Sequence, residues 1–169
     1  EPTEDDLVLL ASVYADRKQF DASRKIYEQL LQANPTNERA QRWLADVYFW
    51  SQNYAEAIAR YEVLLRKSPD DLELVESYGK ALLWIGRYDD AVPILTDLVR
   101  RLPDRRDLWV PLLDAMAGSE TTSLQDKTFV FIDQHYAQQE EAADIAIRLA
   151  RIYLMNDQPM VALHRIKPY

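Results

Sequence analysis

A proline recurs at a fixed interval along the chain, and this periodicity constrains the fold more than any other feature. Pro35, Pro69 and Pro103 are 34 residues apart in both steps. Alignment on these prolines brings other residues into phase: Phe20, Tyr54 and Tyr88; Ser23, Ala57 and Ala91; Leu30, Leu64 and Leu98. A repeat of this length contains one supersecondary unit, which buries its apolar face only by stacking on its neighbours. The chain is therefore predicted to be an array of repeats.

Each repeat contains two apolar runs with the spacing of amphipathic helices. In the second repeat these runs cover residues 43–48 and 57–65, where apolar side chains return every three or four positions. The small residues Ala45 and Gly79 occupy equivalent positions in successive repeats, where two helices must approach closely. Each repeat is therefore predicted to be an antiparallel pair of helices.

The segments between repeats carry the chemistry of helix ends. In "NPTN" (34–37) and "SPDD" (68–71), the proline interrupts a helix, and Asn37 or Asp71 can cap the next one. Asp70 with Glu73, and Asn53 with Glu56, have the three-residue spacing of a capping box. The spacing predicts a capping box at both places.

Composition excludes several classes of function. The chain has 169 residues, 48% of them hydrophobic, and a net charge of −8. An acidic surface repels phosphate backbones and anionic membranes, so nucleic acid is not an expected partner. The absence of cysteine excludes disulfides, thiolate metal sites and a cysteine nucleophile. No stretch approaches the roughly 20 apolar residues that a membrane-spanning helix needs, so direct membrane insertion is not expected.

The sequence contains no recognisable catalytic motif. His135 and His164 lack metal-ligand spacing, and the three glycines form no phosphate-binding loop. The acidic pairs at 5–6, 70–71 and 89–90 lie at predicted helix starts, where negative charge complements the helix dipole. We predict no catalytic residue, no cofactor and no metal.

The 34-residue pattern resembles the tetratricopeptide repeat family. The resemblance implies an all-α, right-handed α-solenoid of antiparallel helix hairpins with about five repeats. Trp109 occupies the family's first tryptophan position in the fourth unit, but an altered turn follows it in "SETTSLQDK". The implied units are 4–37, 38–71, 72–105, a degenerate unit at 106–142 and an incomplete unit at 143–169.

The resemblance also implies a binding surface, because members of the family bind partners along a concave groove that the first helix of each unit forms. In the third unit the family's groove positions are occupied by Glu73, Glu76, Lys80, Leu83 and Trp84. The candidate groove residues over the whole chain are Arg39, Arg42, Asp46, Phe49, Trp50, Glu76, Lys80, Leu83, Trp84, Asp114 and Arg151. The lysine, asparagine and arginine clamp of chaperone-binding members is absent, since only Lys80 matches it in charge.

Two interpretations of the tryptophans stay open. Trp50 in "DVYFWSQNYAEA" and Trp84 in "KALLWIGRYDDA" each end a first helix just before a turn. They either pack against neighbouring helices or, with Phe49 and the flanking Arg42 and Lys80, form an aromatic contact strip for a partner.

The function predicted first is a non-catalytic scaffold that binds a protein or peptide partner in the groove, as part of a longer array. One alternative is a periplasmic scaffold for exopolysaccharide export, which docks a modifying enzyme or guides an anionic or neutral polysaccharide to an outer-membrane pore. That alternative comes from the likeness of "GRYDDA" (86–91) to repeats of bacterial envelope proteins, and it favours the periplasm over the cytoplasm. The other alternative is a structural spacer that self-associates through its terminal repeats. Leu163 and Ile166 still mark an apolar stripe near the end of the sequence.

Overall fold

The computed structural model describes residues 2–138 and 142–169, and these residues form helices and turns without a strand. The chain is all-α, as the periodicity predicts. The helices are α1 (Glu4–Asp16), α2 (Phe20–Ala33), α3 (Glu38–Trp50), α4 (Tyr54–Lys67), α5 (Leu72–Trp84), α6 (Tyr88–Arg101), α7 (Trp109–Gly118), α8 (Lys127–His135), α9 (Ala142–Met155) and α10 (Pro159–Ile166). Short 3-10 turns at Arg106–Leu108 and Tyr136–Gln138 precede α7 and follow α8.

The chain forms two compact units, Glu1–Ile85 and Gly86–Tyr169. In the first unit, α1 packs on α2, α3 on α4, and the pairs join through contacts of α2 with α3 and α4 with α5. In the second unit, α6 packs on α7, α7 on α9, and α9 on α10. The first unit therefore has the helix packing that the two apolar runs of each repeat predict, and in the second unit α9 and α10 pair in the same way.

Alanines and tyrosines at repeating positions build the core of the first unit. Ala11 and Ala45 on the first helices, and Ala57 on a second helix, are fully buried, and the absence of a larger side chain lets paired helices approach closely. Tyr27 and Tyr61 are fully buried at equivalent positions of α2 and α4. The 34-residue periodicity thus reflects buried alanines and tyrosines at equivalent positions of successive hairpins.

The predicted single-residue caps are confirmed, but both predicted capping boxes are wrong. The side chain of Asn37 accepts a hydrogen bond from the amide of Ala40, and that of Asp71 accepts from the amide of Glu73. Since α5 begins at Leu72, Asp71 and not Asp70 stands at the capping position. At the start of α4, the side chain of Asn53 makes no capping bond, and its amide nitrogen donates to the hydroxyl of Ser51.

A capping box at the start of α1 pairs Thr3 with Asp6, and the hydrogen bonds from Thr3 lower the pKa of Asp6. The turns inside the hairpins use a different device, a single residue in the left-handed region. Lys18, Gln52 and Gly86 recur at 34-residue spacing with φ of 59°, 64° and 78°. Only the last of these three is the residue type that adopts this conformation without steric cost.

The second unit is held by polar contacts as well as by its core. Tyr153 on α9 donates to the carboxylate of Asp133 on α8 at 2.9 Å, and Arg165 on α10 donates two bonds to the same carboxylate. In the altered turn after α7, the buried hydroxyl of Ser119 donates to Asp89 at 2.6 Å. These contacts link successive helices where the repeat pattern is weakest.

Candidate functional site

The candidate site is a cavity of about 560 Å³ between α3 and α5 of the first unit. Both helices contribute residues from one face, at spacings of three, four or seven positions, because such positions lie above one another on a helix. We call it the α3–α5 cavity. Its lining residues are Arg42, Trp43, Asp46, Phe49, Trp50, Glu73, Glu76, Ser77 and Lys80.

Aromatic side chains form the α3 wall of the α3–α5 cavity. Trp43 and Trp50 lie seven residues apart, two turns along one face, and their ring centroids are 6.1 Å apart. Trp50 remains 43% exposed. Phe49 meets Tyr54 edge to face at 5.5 Å. The cavity therefore has an apolar wall that is partly exposed to solvent.

Charged side chains occupy the rest of the α3–α5 cavity in paired arrangements. Arg42 donates to Asp71 at 2.8 Å and to Glu73 at 2.6 Å, so it ties α3 to the start of α5. Lys80 pairs with Glu76 at 2.6 Å, one turn apart on α5. Neither cation faces the cavity without a carboxylate beside it.

Asp46 is a partly buried carboxylate of the α3–α5 cavity. The hydroxyl of Tyr61, a fully buried residue of α4, donates to it at 2.6 Å. Burial raises the pKa of Asp46 above its ordinary value, and the bond from Tyr61 and the charge of Arg42 oppose that rise. Burial, followed by the charge of Asp46, also raises the pKa of Tyr61. The pair anchors α4 beneath the cavity.

Substitutions at Asp46 separate its hydrogen bond from its charge. We expect Asp46→Asn, which keeps an acceptor for Tyr61, to leave the free energy of unfolding unchanged or slightly higher. Asp46→Ala is expected to lower it by about 1 kcal/mol relative to Asp46→Asn, because one hydrogen bond is lost. Urea denaturation of both variants measures the difference. An equal effect of the two substitutions contradicts a role for the bond.

Comparison with Asp46→Asn also predicts how the stability of the natural chain depends on pH. The pKa of Asp46 in the folded chain lies above its ordinary value of 3.8, so ionisation of Asp46 disfavours the folded state. The natural chain should therefore lose stability relative to Asp46→Asn as the pH rises above 3.8, and the loss should level off once Asp46 is ionised in the folded chain. Urea midpoints of the two proteins between pH 3 and 7 test the sign.

Other residues of the predicted groove lie outside the α3–α5 cavity. Arg39 pairs with Asp5 of α1 at 3.3 Å and lines a neighbouring cavity near Lys67. Leu83 is partly buried. Trp84 is 64% exposed and its ring stacks on Tyr54 with centroids 6.4 Å apart.

Two predicted groove residues belong to the second unit. Asp114 on α7 accepts a hydrogen bond from Arg148 of α9 at 2.7 Å. Arg151 is exposed on α9. No observation tests whether either residue binds a partner, and both stay predictions.

The sequence reasoning missed Trp43 and Ser77 as lining residues. A signal for each is present: Trp43 lies two helical turns before Trp50, and Ser77 lies one turn after Glu73. Both share a face with residues that were selected. Both are the sixth residue of their units, and the family's groove positions include the fifth residue of each unit but not the sixth.

Within residues 2–138 and 142–169, no group of three or more histidine, aspartate or glutamate side chains is arranged to hold a metal. Over the same residues, no helix combines the length and apolarity that crossing a membrane requires.

The chain is a helical-repeat protein. Its defining features are antiparallel helix pairs, buried alanines and tyrosines at 34-residue spacing, and a cavity between successive first helices. A family model described as tetratricopeptide repeat matches residues 14–77 and 51–115, together more than half of the chain. The chain belongs to the tetratricopeptide repeat family. Members of this family are generally non-catalytic scaffolds for protein partners, as the resemblance implied.

Solved structures of low sequence identity share the fold. A MamA structure (residues 41 to the end) from Desulfovibrio magneticus RS-1 superposes with a TM-score of 0.79 at 15% identity, over 96% of this chain and 90% of that one. YrrB, described as a TPR protein with an unusual peptide-binding site, gives 0.79 at 17% identity, over 96% and 82%.

A tetratricopeptide repeat protein from Parabacteroides merdae ATCC 43184 gives a TM-score of 0.62 at 19% identity, over 96% of this chain and 62% of that chain. No curated protein sequence matches the chain. At these identities the superpositions establish the fold alone. They confirm the predicted fold class, an all-α array of the tetratricopeptide type.

Proposed function

We propose that this chain is a non-catalytic scaffold that binds a protein or peptide partner in the α3–α5 cavity. The observation that carries the proposal is the exposed ring of Trp50 beside a cavity lined by paired charges. A tryptophan supplies a large contact area with few rotatable bonds, which makes it a frequent centre of binding energy in protein interfaces.

The exposure of Trp50 and the position of its aromatic neighbour both argue against the interpretation that Trp50 only packs against other helices. Trp50 keeps 43% of its surface exposed, and the neighbour whose ring it meets, Trp43, also lines the cavity. The pair is thus arranged around a space and not buried in the core. The peptide-binding description of YrrB, which has the same fold, supports a peptide as the ligand class.

Substitution of Trp50, with Trp84 as the control, tests the proposal. A displayed library of random seven-residue peptides is selected against the natural chain, and the recovered peptides are measured by fluorescence polarisation. We expect Trp50→Ala to weaken binding at least tenfold, while the free energy of unfolding falls by less than about 2 kcal/mol, because the ring is only partly buried.

Trp84→Ala is the matched control, since Trp84 is an exposed tryptophan of the same unit that does not line the α3–α5 cavity. It should leave peptide affinity within about twofold. Binding that survives Trp50→Ala, or a library that yields no ligand at all, argues against the proposed function.

A finer proposal concerns the pathway. The resemblance of "GRYDDA" to envelope-protein repeats supports a periplasmic scaffold in exopolysaccharide export, which docks a modifying enzyme or guides polymer to an outer-membrane pore. Cell fractionation tests the compartment. Quenching of tryptophan fluorescence by a charged polysaccharide tests polymer contact, and an unchanged spectrum of Trp50 and Trp84 rejects the polymer-guiding form.

A structural role through self-association is the remaining alternative. Exposed apolar side chains support it at both ends of the described chain: Leu9, Leu10 and Val13 on α1, and Met160, Leu163 and Ile166 on α10. Sedimentation velocity over a hundredfold range of concentration tests it. A single monomeric species across that range rejects self-association through these faces.

A further inference from the structure

The charges of the α3–α5 cavity are unequal in number. Three of its lining residues are acidic, Asp46, Glu73 and Glu76, and two are basic, Arg42 and Lys80. Arg42 contacts a further carboxylate, that of Asp71, at 2.8 Å. The cavity is therefore acidic even though it contains two cations, and it lies on a chain whose net charge is −8.

An incoming anion meets an unfavourable arrangement in this cavity. Arg42 is held between Asp71 and Glu73, and Lys80 is held by Glu76. An anion must draw these cations away from their carboxylates and then lie beside the carboxylates it has exposed. Like charges within a few ångströms of each other disfavour binding in a partly desolvated site.

An incoming cation meets the opposite arrangement. Glu73 holds Arg42 with a side chain that is 84% exposed, so its carboxylate is accessible from solvent. Asp46 accepts a bond from Tyr61 through one oxygen, and a carboxylate has about four lone-pair positions in all. A cation placed here also offsets the cost of holding the charge of Asp46 partly out of water.

The aromatic wall suits the rest of a basic side chain. Trp43 and Trp50 line the same space as the carboxylates, and their faces attract both an alkyl stem and a cationic head. A volume of about 560 Å³ lies in the range of pockets that accept small ligands. Apolar wall and acidic lining together match a lysine or arginine side chain.

Resting on the proposed function, we propose that the α3–α5 cavity recognises a lysine or arginine side chain of a partner polypeptide. The alkyl stem packs on Trp43 and Trp50, and the charged head lies between Asp46 and Glu73. Specificity comes from the acidic lining, and contact area comes from the tryptophans.

A defined peptide library tests the inference. Seven-residue peptides with acetylated and amidated ends carry arginine, lysine, glutamine, leucine or glutamate at the central position and random residues elsewhere. Binding is measured by fluorescence polarisation with the complete chain. We expect arginine and lysine pools to bind at least tenfold more tightly than the glutamine and glutamate pools, and the preference to weaken at high salt.

Charge-removing variants locate the preference. Asp46→Asn and Glu73→Gln should each reduce the affinity for the arginine pool by about ten- to a hundredfold, the usual effect of losing one hydrogen bond to a charged group. Asp5→Asn and Glu38→Gln remove the same charge from exposed residues that do not line the cavity, and they should change affinity by less than twofold. Equal losses in all four variants mean a general charge effect and overturn the inference.

The indole signals of the chain distinguish failure of the inference from failure of the proposed function. In ¹H–¹⁵N spectra, assigned with Trp→Phe variants, the arginine pool should shift Trp43 and Trp50 and leave buried Trp109 unchanged. A shift of Trp50 with glutamine, leucine or glutamate pools as strong as with arginine keeps the proposed function and overturns the basic-residue inference. A response of Trp50 to alginate, an anionic polysaccharide, but to no peptide pool overturns both.

Discussion

Trp109→Ala is expected to lower the free energy of unfolding of the chain by about 3–5 kcal/mol, the largest single effect that we predict. Trp109 opens α7 and is 1% exposed, and its ring meets Phe131 edge to face at 5.7 Å. Removal of the indole loses this apolar burial and leaves a cavity that the surrounding helices can only partly close. Urea denaturation followed by circular dichroism measures the change.

The same substitution at an exposed tryptophan is the control for Trp109→Ala. Trp84 is 64% exposed, so Trp84→Ala should cost only about 1 kcal/mol, mainly through its stacking on Tyr54. Trp109→Phe adds a second comparison, because the indole Nε1 of Trp109 finds no hydrogen-bond acceptor in the described part of the chain. Phenylalanine removes that buried donor and should recover more than half of the loss. Equal costs for Trp109→Ala and Trp84→Ala contradict the packing role.

Gly118→Ala is expected to lower the free energy of unfolding by about 1–3 kcal/mol. In an ordinary helix the same change raises stability by up to about 1 kcal/mol, because alanine has the higher helix propensity. Here a Cβ at Gly118 lies 2.5 Å from the ring carbons Cγ and Cδ2 of Tyr88. These carbons are near the base of the side chain, so the ring cannot move away without displacing α6 from α7.

A double-mutant cycle shows whether the contact with Tyr88 causes the expected loss of stability in Gly118→Ala. In a Tyr88→Ala background the ring is absent, and Gly118→Ala should then become neutral or stabilising. Denaturation midpoints of the four proteins give the coupling between the two positions. If Gly118→Ala destabilises the chain equally in both backgrounds, contact with Tyr88 is not the reason. Gly86→Ala is a different case, because Gly86 has φ of 78° and its cost arises from backbone strain.

Both of these predictions concern the part of the chain where the repeat pattern is weakest. The fourth unit departs from the pattern after α7, yet Trp109 keeps the family's tryptophan position and is fully packed. Gly118 keeps α7 close to α6. Individual packing positions are thus retained in a degenerate unit even where the turn between its helices is altered.

Part of the candidate site was predicted from the sequence through the family's groove positions, which share a face of the first helix. Arg42, Asp46, Phe49 and Trp50 lie on one side of α3, and all four line the α3–α5 cavity. Trp84 has the same position in its helix as Trp50, but its ring stacks on Tyr54 and it does not line the α3–α5 cavity. Its role in partner binding stays a prediction.

The helix caps also show which contacts could be predicted from sequence spacing and which could not. Asn37 and Asp71 act as caps because the bond runs between residues two or three positions apart. Asn53 has the right neighbours in sequence for a capping box, but the left-handed turn at Gln52 brings its amide to Ser51. A spacing rule describes which bonds are within reach, and the backbone path decides which one forms.

The sequence by itself determined the 34-residue period, the helix pairs, the all-α class and the membership of the tetratricopeptide repeat family. These properties depend on contacts between residues close in sequence, and the same residue pattern recurs in each repeat. Only the tertiary structure decided that Arg42 and Lys80 are paired with carboxylates, that Asp46 is bound by Tyr61, and that Trp43 joins Trp50 at a cavity. Those facts depend on how neighbouring helices are placed against each other, which the spacing within one helix does not specify.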